Sequence, residues 1–168
     1  MSFDAFIKFD GIQGESRDSK HKDWIEVLSY NFSVNQTASI SSSSHGSKSA
    51  ERANFSDFHF TKALDKATPF MAFACASGQH FPKVMIEICR AAGNDKEVFM
   101  RYTLQDVLLT GYSTSGSGGG GEGETIPTEN IGITYGKIEW NYIPTDQTTG
   151  RAMGNISKGW DVRQNKMA

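Results

Sequence analysis

Cysteine is nearly absent: the 168 residues hold two, Cys75 and Cys89. That is too few for a disulfide scaffold, and they lie too far apart for a C-x-x-C redox or zinc motif, so they read as free, buried thiols. An excess of basic charge is missing as well. Seventeen Lys and Arg stand against nineteen Asp and Glu, a net charge of -2 with no clustered tract. This excludes the electrostatic footprint of a nucleic-acid or anionic-membrane binder. No apolar run approaches the roughly 18 residues of a membrane span, and the mean hydropathy is -0.44. In the first fifteen residues Asp4, Lys8 and Asp10 interrupt the apolar stretch a signal peptide needs, so the chain is expected to begin in the cytosol.

Catalytic signatures are lacking too. No G-x-S-x-G and no Cys/His arrangement supplies a nucleophile with its base. The glycine-rich stretch 116–124 does not end in Gly-Lys-Ser/Thr and does not lead from a strand into a helix, so it is a loop tip and not a phosphate cradle. Glu15, Asp18 and His21 sit in a polar connection that reads as a solvated turn rather than a metal site, and His45, His59 and His80 have no partner at ligand spacing. Asn31, Asn35, Asn54 and Asn155 begin Asn-x-Ser/Thr triplets that have no meaning without export through a secretory signal. No catalytic residue, metal ligand or cofactor site is nominated.

What the chain does have is period-2 alternation. Phe3, Ala5, Ile7 and Phe9 alternate with Asp4, Lys8 and Asp10. Residues 24–35 follow a polar 11–23 connection, with Tyr30, Phe32 and Val34 on one face and Asn31, Ser33 and Asn35 on the other. Further strand patterns cover 54–61, 83–89, 98–109, 131–143 and 160–162. Residues 36–52 are Ser-rich and aperiodic. One helix is predicted after Thr68-Pro69, with Thr68 as N-cap, Pro69 as its first residue, Gly78 as its stop, and Phe70, Phe73 and Ala74 as anchors. A chain this long buries about 70% of its unfolded surface. The expectation is one domain over 1–168, mainly β, an antiparallel β-barrel of two sheets with one short flanking helix.

Two segments show apolar residues of both parities. In 131–143, Ile131, Ile133 and Tyr135 oppose Ile138, Trp140 and Tyr142; in 98–109, Met100, Tyr102 and Leu104 oppose Phe99, Val107 and Leu109. A small barrel has only one inside, so the outer apolar face must be covered by the helix, a loop or another subunit.

Four ordered blocks resemble a known family. They are Gly14-Glu15 with Asp18, His21, Ile25-Glu26-Val27 and Ser29; Phe58 through Lys62 with Asp65 through Pro69 and Gly78; Glu129-Asn130 and Tyr135 through Ile138 with Trp140 and Tyr142; and Gly159-Trp160-Asp161 with Asn165. Together they resemble the haemolysin-coregulated proteins, Hcp, which build the inner tube of the type VI secretion system, and the resemblance spans essentially the whole chain. It implies a non-enzymatic homo-hexameric ring that stacks into a tube within a contractile sheath, carries a spike protein at its tip and holds small effector proteins in its lumen. It also implies synthesis in the bacterial cytoplasm and secretion through the apparatus without a cleaved signal peptide. On this sequence the ring-stacking loop falls at Ser43, Ser44, His45, Gly46 and Ser47, and the neutral face of Asn31, Ser33 and Asn35 is the lumen candidate. Trp140 and Tyr142 are candidate subunit anchors. The competing readings are a monomeric β-barrel that binds a small apolar ligand, and a hydrolase with scattered residues.

Overall fold

A computed structural model describes residues 3–39, 49–92, 95–118 and 126–168. In chain order its elements are β1 (Asp4–Phe9), β2 (Ile25–Val27), β3 (Ser29–Asn31), β4 (Val34–Ser39), β5 (Ser49–Phe55), β6 (Phe58–Ala63), α1 (Thr68–Ser77), β7 (His80–Ala92), β8 (Asp95–Ser115), β9 (Thr128–Thr134), β10 (Lys137–Tyr142), β11 (Ile156–Asp161) and β12 (Lys166–Met167). The protein is mainly β, with antiparallel strands in two sheets and a single helix among the described residues.

The 21-residue β8 organises the large sheet. One edge of it pairs with β7; the other is shared, residues 100–105 pairing with β10 and residues 108–115 with β9. From β9 the ladders pass to β6 and then to β3. Only Leu28 separates β3 from β2, which pairs with β1, which pairs with β7. The Leu28 N–H donates to the Thr61 carbonyl at 2.8 Å, between the end of β2 and the start of β3. The core holds Ile7, Phe9, Ile25, Phe58, Phe60, Phe81, Ile86, Leu104, Ile131 and Ile133, all essentially inaccessible. From β8 the sheet also continues outward through β10, β11 and β12.

The apolar residues of both parities have a different origin from the one expected. In 131–143 the chain breaks at Tyr135-Gly136 between β9 and β10, and Ile131, Ile133, Tyr135 and Ile138 all face the core. In β8 the change comes at Gln105-Asp106, where Asp106 adopts φ 53. Its partner β7 changes face at the same place, so Phe81 opposite Val107 and Val84 opposite Leu104 are all buried. The first segment is thus two strands and the second one strand that changes face, with Phe99 left on the opposite parity from Met100 and Tyr102 and partly buried against the core.

Two other expectations are corrected. The single strand at 24–35 is three strands, β2, β3 and β4, and the one at 54–61 is divided between β5 and β6. The helix begins one residue earlier than expected: Ala67 occupies the N-cap position and Thr68 makes no cap. Its buried stripe is Ala67, Met71 and Ala74, at spacings of four and three, while Phe70 and Phe73 face outward at 55% and 66% exposure. Ala74 is therefore an anchor as expected, whereas Phe70 and Phe73 are not, and Met71 takes their place. Gly78, at φ 66, closes the helix as expected, its N–H bonded to Ala74 O. Cys89 is buried and Cys75 half-buried, both as free thiols.

Candidate functional site

The chemistry-bearing side chains gather at connections. In the 11–23 connection, Gly14 lies so close to the next strand that a Cβ there would sit 2.3 Å from the Trp24 carbonyl, and its N–H donates to Asp23 O at 2.8 Å. This folds the connection back and delivers His21 onto β1, its ring stacked on Phe6 at 4.3 Å and edge-on to Trp24 at 4.9 Å. The imidazole is 1% exposed and sits between two carboxylates, Nδ1 at 2.7 Å from Asp18 and Nε2 at 2.6 Å from Glu87. Arg101 Nε donates to the other Glu87 oxygen at 2.6 Å, and Lys96 stands 3.6 Å from Asp18.

Burial pulls the His21 pKa down, but its hydrogen bonds to Cys89, Glu87 and Asp18 outweigh that and hold it up at about 10. Burial raises the Glu87 and Asp18 carboxyls, yet the bonds from His21, with Arg101 on Glu87 and the Lys20 N–H on Asp18, hold both below the ordinary carboxylate range. His21 is therefore a buried cation at neutral pH that ties the 11–23 connection to β7 and β8. The solvated turn expected at Asp18 and His21 is corrected to this buried cluster, from which Glu15 is left out, exposed. Among the described residues no group of three or more His, Cys, Asp or Glu is arranged to hold a metal ion.

A second cluster fixes the start of α1. Lys62 and Glu129, opposite each other on β6 and β9, are both fully buried and form an ion pair. Lys62 also meets Asp65 at 2.8 Å and donates to Ala63 O at 3.0 Å. The Thr68 hydroxyl donates to Glu129 at 3.1 Å and accepts the Asp65 N–H at 3.1 Å. Tyr112 on β8 donates to the second Glu129 oxygen; burial first, and then that carboxylate, push its pKa up to about 12. Sequence reasoning assigned Thr68 a cap and missed the cluster. Its available signal was an acid and a base, Glu129 and Lys62, each inside an otherwise apolar strand pattern.

The β4–β5 hairpin is a sheet of its own. Its described side chains are exposed except for Ala53 and Phe55 near its root, where Phe55 stacks on Trp140 at 6.2 Å. Asn31, Ser33 and Asn35 are all exposed along the approach to and start of this hairpin, with Asn35 Nδ2 at 3.4 Å from Ser33 Oγ. Ser43, Ser44, His45, Gly46 and Ser47 lie outside the described residues. Trp140 is half-buried, whereas Tyr142 is 43% exposed opposite Ile156 at 61%. Phe3, Leu28, Phe70 and Phe73 are further exposed apolar side chains. The interior that a ligand-binding barrel would leave open is filled by Phe9, Phe58, Phe60, Phe81 and Met71.

Comparison with known proteins agrees with the resemblance. Residues 6–142 match the family described as "Type VI secretion system effector, Hcp". Protein hcp1 of Pseudomonas aeruginosa is 34% identical over 168 residues, covering all of both chains. A solved type six secretion system protein superposes with a TM-score of 0.89 at 36% identity, covering 99% of this chain and 100% of the other. Hcp1 from Salmonella typhimurium superposes at 0.78 with 29% identity, both chains covered in full. A mainly antiparallel β fold with a single helix among the described residues and this whole-length likeness lead to one assignment: the chain belongs to the Hcp family of the type VI secretion system.

Proposed function

We propose that this chain, as one domain over 1–168, is a structural subunit of the type VI secretion inner tube. Six copies form a ring, and rings stack head to tail inside a contractile sheath behind a spike protein. The tube is expelled with small effector proteins in its lumen. The chain is made in the bacterial cytoplasm, leaves through the apparatus without a cleaved signal peptide, and catalyses nothing.

Beyond family membership, one observation supports this reading: a hairpin that among the described residues joins no other sheet of its own chain and whose strands are exposed, as a strand that pairs with a neighbour must be. Ser43, Ser44, His45, Gly46 and Ser47 lie between its two strands and are assigned the contact with the next ring. Asn31, Ser33 and Asn35, neutral and hydrogen-bonding, are assigned to a lumen that must release what it holds. A ring needs two different patches on each subunit. Tyr142, beside Ile156, is assigned to one of them, and Trp140 supports it from beneath.

Native mass spectrometry with negative-stain class averages tests the ring. The expected mass is about 111 kDa, six times the 18.5 kDa chain. A monomer that persists across micromolar concentrations overturns the proposal. Deleting 42–48 should leave the ring mass unchanged and abolish stacking and secretion; normal secretion by this variant removes the stacking assignment.

A further inference from the structure

Among the described residues the hairpin has no ladder to the large sheet, and a two-stranded hairpin alone is marginally stable, so something else must set its direction. Among the described residues, three hydrogen bonds reach its strands from elsewhere in the chain, all from the C-terminal turn. Arg52 Nη2 on β5 donates to Val162 O at 3.1 Å and to Arg163 O at 3.0 Å. The next residue, Ala53, donates its N–H to Asn165 Oδ1 at 3.2 Å. Among the described residues Arg52 has no carboxylate partner; its guanidinium is used on two successive carbonyls. A planar donor group shared this way fixes direction as well as distance.

The turn that receives these bonds is itself rigidly held. The buried Asp161 accepts the Gln164 N–H at 2.9 Å, the Val162 N–H donates to Gly136 O at 2.8 Å, and Arg163 forms an ion pair with Asp106. Asp106 and Gly136 stand where β8 changes face and where β9 turns into β10. Asn165 adopts φ 51, a left-handed conformation that Asn tolerates better than most residues.

We propose that the 161–165 turn is a bracket that sets the angle of the β4–β5 hairpin to the barrel, with Arg52 and Asn165 as positioning residues for ring stacking. The role in stacking rests on the tube reading above. Leverage makes the angle matter. A six-residue strand is about 20 Å long, so a tilt of about 10° at its root moves its far end by ~3.5 Å, more than a hydrogen bond tolerates. The bracket also gives the C-terminal block its meaning, since Asp161 builds the turn and Asn165 makes the contact.

The test uses the full-length chain with Arg52→Ala, Asn165→Gly and Asn165→Asp. Glycine keeps the left-handed backbone and loses the acceptor, and aspartate keeps an acceptor oxygen. Hydrogen exchange is read over 34–39 and 49–55, native mass reports the ring, and secretion from a bacterium carrying the apparatus reports stacking. For Arg52→Ala and Asn165→Gly the expected results are an unchanged ring mass, protection in the hairpin lowered about tenfold and secretion lowered about tenfold, with Asn165→Asp close to wild type. Unchanged hairpin exchange in Arg52→Ala and Asn165→Gly overturns the bracket. Faster exchange with normal secretion overturns the positioning role. A monomeric wild type, or normal secretion by the 42–48 deletion, overturns the tube reading instead, and the exchange measurement still decides whether the bracket exists.

Discussion

Replacing Lys62 by methionine should be among the costliest single changes in this chain, and costlier than removing its partner. Both Lys62 and Glu129 are fully buried. Without the ammonium, Glu129 keeps only the Tyr112 and Thr68 hydroxyls, in an interior where water does not replace the lost charge. Breaking a buried pair from one side costs about 3–5 kcal/mol, because it strands the other charge. Glu129→Met is milder, since Lys62 retains Asp65 at 2.8 Å and the Ala63 carbonyl at 3.0 Å; loss of one charge-assisted bond costs about 1.5–3 kcal/mol. The double variant removes both charges and leaves an apolar contact between β6 and β9, so it should be more stable than Lys62→Met alone.

Urea unfolding followed by tryptophan fluorescence measures all four proteins, at one protein concentration because assembly shifts apparent stability. For a domain of this size the Lys62→Met loss corresponds to a fall in Tm of about 6–20 °C. Two results refute the reasoning: costs of the single changes that simply add in the double variant, or a Glu129→Met cost above that of Lys62→Met.

His21 predicts a pH dependence whose sign follows from its raised pKa. A histidine at about 10 in the folded chain and near 6.5 unfolded contributes stability that is complete below 6.5 and lost as pH rises toward 10, with a limiting slope of about 1.4 kcal/mol per pH unit. His21→Gln should flatten the stability profile over that window, and superimposable profiles would refute the assignment of a buried cation. On the helix, Met71→Ala should cost about 2–5 kcal/mol, while Phe73→Ser, on the outward face, should change chain stability by no more than about 0.5 kcal/mol. The same urea titration checks both, and a larger loss for Phe73 would restore it as an anchor.

Alternation made the strands legible because a half-buried strand writes its two faces into consecutive residues. It misled wherever a strand changes face without leaving its sheet. At Gln105-Asp106 nothing in composition announces a residue at φ 53, and Tyr102 and Leu104 followed by Val107 and Leu109 look the same whether the chain has two apolar faces or one that switches. The helix was legible from Pro69 and Gly78 and its face only in part: Ala74 is buried as expected, but Phe70 and Phe73 outweigh Met71 in a reading by size. The Arg52 bracket joins positions 110 and 111 residues apart, and no local pattern contains it.

The residues that carried the family resemblance turn out to be mostly fasteners. Asp18 and His21 hold the first long connection on the sheet; Lys62, Asp65, Thr68 and Glu129 hold the helix; Gly136, Asp161 and Asn165 hold the C-terminal turn against the hairpin. Each cluster is saturated with internal partners, which explains why charged residues in ordered motifs suggested no reaction. A carboxylate already committed to a lysine and two hydroxyls is a poor general base, and an imidazole held between two carboxylates is a poor proton shuttle. What this chemistry supplies is rigidity at the joints between strands, which the proposed ring subunit needs if its two contact patches are to meet its neighbours at fixed angles. Asn31, Ser33 and Asn35 are exposed, uncharged and outside every cluster, and the proposed passage of cargo uses that face.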